Sequence, residues 1–199
     1  PLYLAMEEQG ELGFAVDAKS MGHFFKIDTG QLIKSVVLGL DKSDVTAIAP
    51  ESADSQLLAL GHSDGDVSLI KHSYLISYPN DKRLITPSVE SSYADQHFNL
   101  GKKPINAVSV QDSEDELIVL GQQRGGLLVG HRYIKDVDFL TDELVLEEEV
   151  LKFPALSGMT AALHISSNQR WVYRLEKNGS YTIFDLNQTD ESNTVVLAD

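Results

Sequence analysis

An internal repeat restricts the fold of this 199-residue chain more than any other feature. Residues 45–70 align with residues 105–130 without a gap, and residues 159–184 align with that second copy in the same way. A recurring unit of this length indicates a structure assembled from repeated supersecondary elements. Three sets of positions match across the copies: Ala47, Ala107 and Ala161; Leu57, Leu117 and Trp171; Gly65, Gly125 and Gly179.

Each copy of the repeat predicts three β-strands. The first is short and rich in small residues (TAIA, NAVSV and TAALHI), and the second is apolar (LLALG, LIVLG and WVYRLE). A tight turn then leads to the third strand, and Gly65, Gly125 and Gly179 fall in that turn, where a positive φ suits glycine. Residues 2–28 predict an earlier hairpin, with Gly22 at the corresponding turn position.

A fourth, lead-in strand precedes each copy, at KSVVLGL (34–40), HFNLG (97–101) and EEVLKF (148–153). NTVVLAD (193–199) is a further lead-in strand, so it is expected to begin another blade. We therefore predict an all-β fold, a partial β-propeller of about three and a half four-stranded antiparallel blades, with the small-residue strand nearest the axis. The single domain 1–199 divides into the units 2–33, 34–96, 97–147, 148–192 and 193–199.

Two connections between the units are long enough to carry structure of their own. In residues 71–96, the apolar side chains from Tyr74 to Tyr78 are expected to extend the third strand until Pro79-Asn80-Asp81 turns the chain. In residues 132–150, apolar residues alternate with acids, which favours a strand over a helix.

Charge and cysteine content exclude several classes of function. The formal net charge of −14 argues against nucleic acid and anionic membrane surfaces as partners. It does not exclude a single enclosed site for an anion. The absence of cysteine removes disulfides, thiolate zinc sites and cysteine nucleophiles. No apolar run reaches the roughly 18 residues of a membrane-spanning helix.

The sequence Gly61-His62-Ser63-Asp64-Gly65 matches the G-x-S-x-G pattern of serine hydrolases. That pattern requires a helix after the serine, whereas a β-rich segment follows here. The matching loop of the next copy contains no serine. We therefore interpret the two glycines as turn residues and predict no catalytic residue; a hydrolase with Ser63 as its nucleophile is the enzymatic alternative.

No cofactor and no metal site is predicted. The six histidines form no H-x-H or H-E-x-x-H pair, and the acidic runs 112–116 and 147–149 lack the spacing of a calcium loop. The runs are expected to be a solvated turn and a charged strand edge. Trp171, Tyr173 and Tyr181 match apolar residues of the other copies, so we expect them in the core or between blades, with an aromatic ligand patch as the alternative.

The strand order and the repeat resemble those of WD40-like β-propellers, without their Trp-Asp dipeptides. The opening PLYLAMEEQGELGF and the unit VVLGLDKSDVTAIAP…LLALGHSDGDVSLI also resemble the soluble insertion of some permease subunits of phosphate-specific ABC transporters. That second resemblance implies a periplasmic, non-catalytic interaction or regulatory domain of a membrane-embedded parent protein. Transporter subunits or a substrate-binding protein would be its partners. A general interaction scaffold, not linked to transport, is the alternative.

The incomplete propeller also predicts an oligomeric state. Closed propellers take about 4 to 8 blades, so three and a half blades leave apolar sheet faces uncovered. We therefore predict a homodimer that forms through the terminal blades.

Overall fold

In the computed structural model of the chain, the regular secondary structure is almost wholly β-strand. The structure describes residues 2–38, 43–49, 57–93, 96–151, 153–154 and 158–187, together with the backbone of residues 195–197. Within these residues the only helical element is the 3₁₀ turn Pro79–Asp81, so this part of the chain holds no helix that could span a membrane.

Four antiparallel sheets follow one another along the described chain, each with its strands in chain order. The first sheet comprises β1 (Tyr3–Met6), β2 (Leu12–Val16), β3 (Met21–Lys26) and β4 (Leu32–Val37). The second comprises β5 (Val45–Ala49), β6 (Leu58–His62), β7 (Asp66–Ser77) and β8 (Leu84–Ser91), with β9 (Phe98–Asn99) paired to the start of β7. The third comprises β10 (Ile105–Asp112), β11 (Glu116–Gln123), β12 (Leu128–Val137) and β13 (Leu144–Leu151). The fourth comprises β14 (Thr160–Ile165), β15 (Trp171–Glu176), β16 (Tyr181–Asp185) and β17 (Val195–Leu197).

The outermost strand of each sheet follows the third strand of that sheet in the chain. The lead-in segments at 34–40, 148–153 and 193–199 therefore contribute to the sheet before them, in β4, β13 and β17. Because β17 pairs with β16, the structure has four sheets where three and a half were expected. Residues 39–40, 152, 193–194 and 198–199 of these segments lie outside the described residues.

The outer strand of the second sheet was not predicted. It is β8, which lies inside the long polar connection 71–96, whereas HFNLG forms only the short strand β9. Pro87 in β8 has no backbone N–H to donate, and such a residue is tolerated in a sheet only on an edge strand. The extension of β7 is confirmed as far as Ser77, one residue short of Tyr78, and so is the turn at Pro79–Asp81. In the segment 132–150 the strand prediction is confirmed for residues 132–137 and 144–150, which a turn at 138–143 separates.

Three apolar cores lie between consecutive sheets. The side chains from the first and second sheets include Phe14, Phe24, Leu58 and Leu60. Those from the second and third include Ala59, Val67, Leu117 and Val119, and those from the third and fourth include Ile118, Leu120, Val172 and Phe184.

The small-residue strands lie side by side along one edge of the stack. β10 contacts both β5 and β14, and the Thr46 hydroxyl donates a hydrogen bond of 2.7 Å to the Ile105 carbonyl. Sheets that pack face to face around a row of inner strands have the architecture of a β-propeller. The all-β, partial-propeller fold is therefore confirmed, with the predicted inner strand in place.

The turns between second and third strands have positive φ at Gly65 (97°), Gly125 (110°) and Gly179 (93°). The prediction for Gly22 is wrong, because Gly22 lies inside β3, paired with Val16. In that hairpin the residue with positive φ is Ser20 (57°). Gly22 serves packing instead, since a β-carbon there would collide with the Phe14 ring.

Candidate interaction surfaces

The hairpin turns show which residues of the repeats are structurally equivalent. In each sheet the last pair before the turn joins residues six apart: Gly61 with Val67, Gln122 with Leu128, and Leu175 with Tyr181. The turn between β11 and β12 in the third sheet therefore lies one residue later than the ungapped alignment with residues 45–70 implies. Because side chains alternate between the faces of a sheet, a shift of one residue exchanges the two faces.

This correction changes the equivalents of the aromatic residues in the fourth sheet. Tyr181 corresponds to Leu128 and Val67, and Tyr173, two residues before its turn pair, corresponds to Leu120 and Ala59. The four residues from the second and third sheets lie on what we call the downstream face, which packs against the next sheet along the chain. The opposite side of each sheet is its upstream face.

The downstream face of the fourth sheet is uncovered. Tyr173 is 41% exposed and Tyr181 is 49% exposed, whereas their equivalents Leu120 and Leu128 are 0% and 3% exposed. The rings of His164 and Tyr173 stack with centroids 6.3 Å apart. The expectation that Tyr173 and Tyr181 lie in the core or between blades is therefore wrong for the described chain, because no described sheet follows the fourth to bury them.

Trp171 also belongs to this face, because it is two residues from Tyr173 in the same strand. It is partly buried, and the guanidinium group of Arg170 lies over its ring at 4.7 Å from the centroid. Arg170 also donates a 3.0 Å hydrogen bond to Asp185. The ring is therefore shielded by its neighbour and lies at the edge of the aromatic patch.

The upstream face of the first sheet is uncovered in the same way. Leu4, with its partner Ala15, and Met6, with its partner Gly13, lie on this face, opposite the buried Phe14. Leu4 is 59% exposed and Met6 is 66% exposed. We refer to this face and the downstream face of the fourth sheet together as the terminal faces.

A polar group lies within the apolar upstream face of the first sheet. His23 contacts Asp17 Oδ2 through Nε2 at 3.1 Å and Ser35 Oγ through Nδ1 at 3.0 Å. Burial raises the pKa of Asp17, but hydrogen bonds from His23 and from the backbone of Met21 and Lys19 outweigh burial and lower it. The carboxylate therefore stays ionised at neutral pH, with its hydrogen bonds supplied within the first sheet.

The motif Gly61–Gly65 covers the end of β6 and the turn between β6 and β7. The His62 ring is buried, and its Nε2 lies 2.9 Å from the hydroxyl of Ser68, a residue outside the motif. The Ser63 amide donates a hydrogen bond to the Asp44 carbonyl. Because β7 follows the turn directly, Ser63 has no helix N-terminus beneath it, and the geometry of a nucleophile elbow is absent here.

The acidic runs take part in ion pairs. In the run 112–116, Asp112 accepts hydrogen bonds from Lys135 Nζ at 2.6 Å and from the Tyr93 hydroxyl at 2.8 Å. In the run 147–149, Glu149 accepts one from Arg132 at 3.2 Å. Among the residues that the structure describes, no three histidines or acids lie close enough together to hold a metal ion.

One exposed apolar feature was missed by sequence reasoning, at the turn between β12 and β13. Phe139 is 92% exposed and Leu140 is 87% exposed. Backbone hydrogen bonds from Leu140 and Thr141 to Asp138 organise the turn and lower the pKa of Asp138. The sequence does contain a signal for this feature, because Phe139 and Leu140 lie between Asp138 and Asp142 in a segment rich in turn-forming residues.

Comparison with known proteins gives one structural likeness. No protein-family model and no curated protein matches the sequence. Among solved structures, the chain is similar to the WD40 domain of Pan2 from Neurospora crassa, with 10% sequence identity and a TM-score of 0.48. The likeness covers 97% of this chain and 51% of that one, so the chain spans about half the length of the structure it matches.

Proposed function

We propose that the chain is a non-catalytic scaffold that binds other proteins, and that the terminal faces are its binding surfaces. The observation that carries this proposal is the exposure of Tyr173 and Tyr181 at positions where Leu120 and Leu128 are buried. Contiguous apolar surface of this kind marks association sites, because its burial releases about 25 cal/mol per Å².

The two terminal faces are of the two kinds that pack against each other inside the molecule. Each of the three cores joins the downstream face of one sheet to the upstream face of the next. The two faces left over are one upstream face, with Leu4 and Met6, and one downstream face, with Tyr173 and Tyr181. A partner that continues the stack must therefore present a sheet of the same kind.

A second copy of the chain offers both faces at once. If the fourth sheet of each copy packs on the first sheet of the other, two identical contacts form about a twofold axis. The resulting eight sheets fall within the range of about 4 to 8 blades of closed propellers. Repulsion between two chains of net charge −14 opposes this pairing, so we expect association to strengthen as added salt screens the charge.

Chemical cross-linking tests this arrangement directly, because the chain has no cysteine of its own. Single-cysteine variants Leu4→Cys and Tyr173→Cys would be mixed and treated with a short bismaleimide. We expect cross-linking between the two different variants and little within either variant alone. Thr29→Cys, in the exposed turn between β3 and β4, is the matched control. Cross-links only between like faces, or none above the control, would contradict the proposal.

The narrower proposal is that the partners belong to a phosphate-transport permease complex on the periplasmic side of a bacterial inner membrane. It is supported by the sequence resemblance of the opening segment and of the repeat unit. The coding sequence on both sides of the chain tests it. Membrane-spanning helices encoded on both sides would support this assignment. A reading frame without such helices would contradict the link to a permease and favour the general interaction scaffold.

A further inference from the structure

An open pocket of about 680 Å³ lies at the end of the molecule that carries the glycine turns, where the third sheet meets the fourth. Its volume is within the range of about 300–1,000 Å³ that small-molecule sites occupy. The lining residues include Asn106, Gln122, Arg124, Gly125, Gly158 and Met159.

A buried amide group in the wall of this pocket has an unused donor. Gln122 is 2% exposed, and its Oε1 accepts a 3.1 Å hydrogen bond from the backbone N–H of Thr160. That bond distinguishes the oxygen of the amide from its nitrogen, and it leaves Nε2, which makes no hydrogen bond to any residue that the structure describes. A buried donor without a partner costs about 1–3 kcal/mol, which a ligand acceptor would recover.

One cation, Arg124, lines this pocket, and a second, Lys103, lies close to the lining residue Gly125. Arg124 is exposed on the turn, and the Nζ of Lys103 lies 3.8 Å from the point that a β-carbon on Gly125 would occupy. Neither side chain forms an ion pair with any residue that the structure describes, although acids outnumber bases in the chain by 30 to 16. The Glu176 carboxylate lies beside the lining residue Gly158, but it is paired with Arg174. The pocket and its border therefore combine an unsatisfied buried donor with the positive charges of Arg124 and Lys103.

The part of the wall at Gly158 is held in place by the buried guanidinium group of Arg174. It donates hydrogen bonds to the Gly158 carbonyl at 3.1 Å and to the Thr160 hydroxyl at 2.7 Å, and it pairs with Glu176 at 2.5 Å. Gly158 and Thr160 are thus fixed, and Thr160 in turn orients Gln122. A site whose donors are already in place loses little conformational entropy when it binds.

We propose that this pocket binds the oxyanion group, a carboxylate or a phosphate, of a small organic molecule. The planar guanidinium of Arg124 suits either group because it can donate two parallel hydrogen bonds. Lys103 adds a point charge and Gln122 a neutral donor, while Met159 offers apolar contact to the body of the ligand. This site is separate from the terminal faces, so its test does not depend on the proposed scaffold function.

Titration of the ¹⁵N-labelled chain, followed by NMR, tests the site, with succinate and inorganic phosphate as separate probes at constant ionic strength. We expect a saturable shift of the Gln122 side-chain NH₂ signals, which are identified by their loss in Gln122→Leu. Arg124→Gln should weaken binding about tenfold, the factor that corresponds to about 1.4 kcal/mol. Lys34→Gln, which removes an exposed cation from β4, should leave binding unchanged.

The outcomes distinguish the source of the oxyanion. Saturation by succinate alone assigns the site to carboxylates, and saturation by phosphate alone assigns it to phosphates. The proposal is overturned if neither probe gives a saturable shift, or if Arg124→Gln and Lys34→Gln weaken binding equally. Arg124 is exposed, so its variant remains informative even if Gln122→Leu fails to fold.

Discussion

At the end of β6, the buried imidazole of His62 contacts the Ser68 hydroxyl, and neighbouring Ser63 contributes only its backbone to the turn. Burial disfavours the charged ring and lowers the pKa of His62, while hydrogen bonding to Ser43 and the nearby Asp64 and Asp66 oppose this only in part. His62, the histidine beside the candidate nucleophile Ser63, therefore belongs to the interior of the second sheet.

This environment predicts a pH dependence of folding. The pKa of His62 is lower in the folded chain than in the unfolded chain, where it is about 6.5. The unfolded state therefore binds more protons in acid, so the contribution of His62 to stability is complete above about pH 6.5 and is lost as the pH falls below that value.

Urea unfolding at about pH 7.5 and at about pH 5.5 measures the effect. We expect the wild-type chain to lose more free energy of unfolding between these two pH values than His62→Gln loses. Lys34→Gln, at an exposed residue of β4 outside the second sheet, is the control and should behave like wild type. An identical pH dependence in wild type and His62→Gln would show that this histidine is not responsible.

At the scale of the elements, the turn between second and third strands determines which face each side chain occupies. Counted from the last pair of each hairpin, the fourth of the five intervening residues is Ser20, Gly65, Gly126 or Gly179, all with positive φ. The ungapped repeat alignment matched Gly65 with Gly125, one residue early, and so assigned Tyr173 to the wrong set of equivalents. Sequence periodicity identifies strands well, but it does not locate a turn to within one residue when glycines are adjacent.

The same turn offers a matched pair of substitutions. Gly65 and Gly179 have similar φ, but a β-carbon on Gly65 would collide with the Gly101 carbonyl, whereas a β-carbon on Gly179 would meet no atom within 4 Å. Gly179→Ala should therefore cost only the backbone strain of about 1–2 kcal/mol. Gly65→Ala should cost about 3 kcal/mol or more, because backbone must also move.

Chemical denaturation of the wild-type chain and of both variants, without ligand, measures the loss of unfolding free energy that each substitution causes. Equal losses of unfolding free energy would mean that the close approach of Gly65 to Gly101 does not restrict this turn. A larger loss for Gly179→Ala would contradict the assignment of the two turns altogether.

At the scale of the whole molecule, the repeat was sufficient to predict stacked antiparallel sheets with small-residue inner strands. It did not predict which faces are covered, because an apolar strand face has the same pattern whether or not another sheet lies on it. Tyr173 has the pattern of a core residue and a 41% exposed side chain. The outer strand β8 escaped prediction for the opposite reason, since edge strands need little apolar alternation.

The exposed terminal faces remain the central property of the molecule. Their side chains occupy positions that the interior sheets bury, and the two faces match the two sides of each interior core. Charge on either face would therefore block continuation of the stack without disturbing the existing cores. Leu4→Asp and Tyr173→Asp place a carboxylate on each face in turn.

Sedimentation equilibrium over a range of protein concentrations and salt concentrations tests this account most directly. We predict that the wild-type chain and Leu75→Asp, altered on the exposed outer part of β7, form a dimer that strengthens with salt. The double variant Leu4→Asp/Tyr173→Asp should sediment as a monomer with unchanged unfolding free energy. A wild-type chain that stays strictly monomeric at every concentration, or a double variant that still dimerises, would contradict the account.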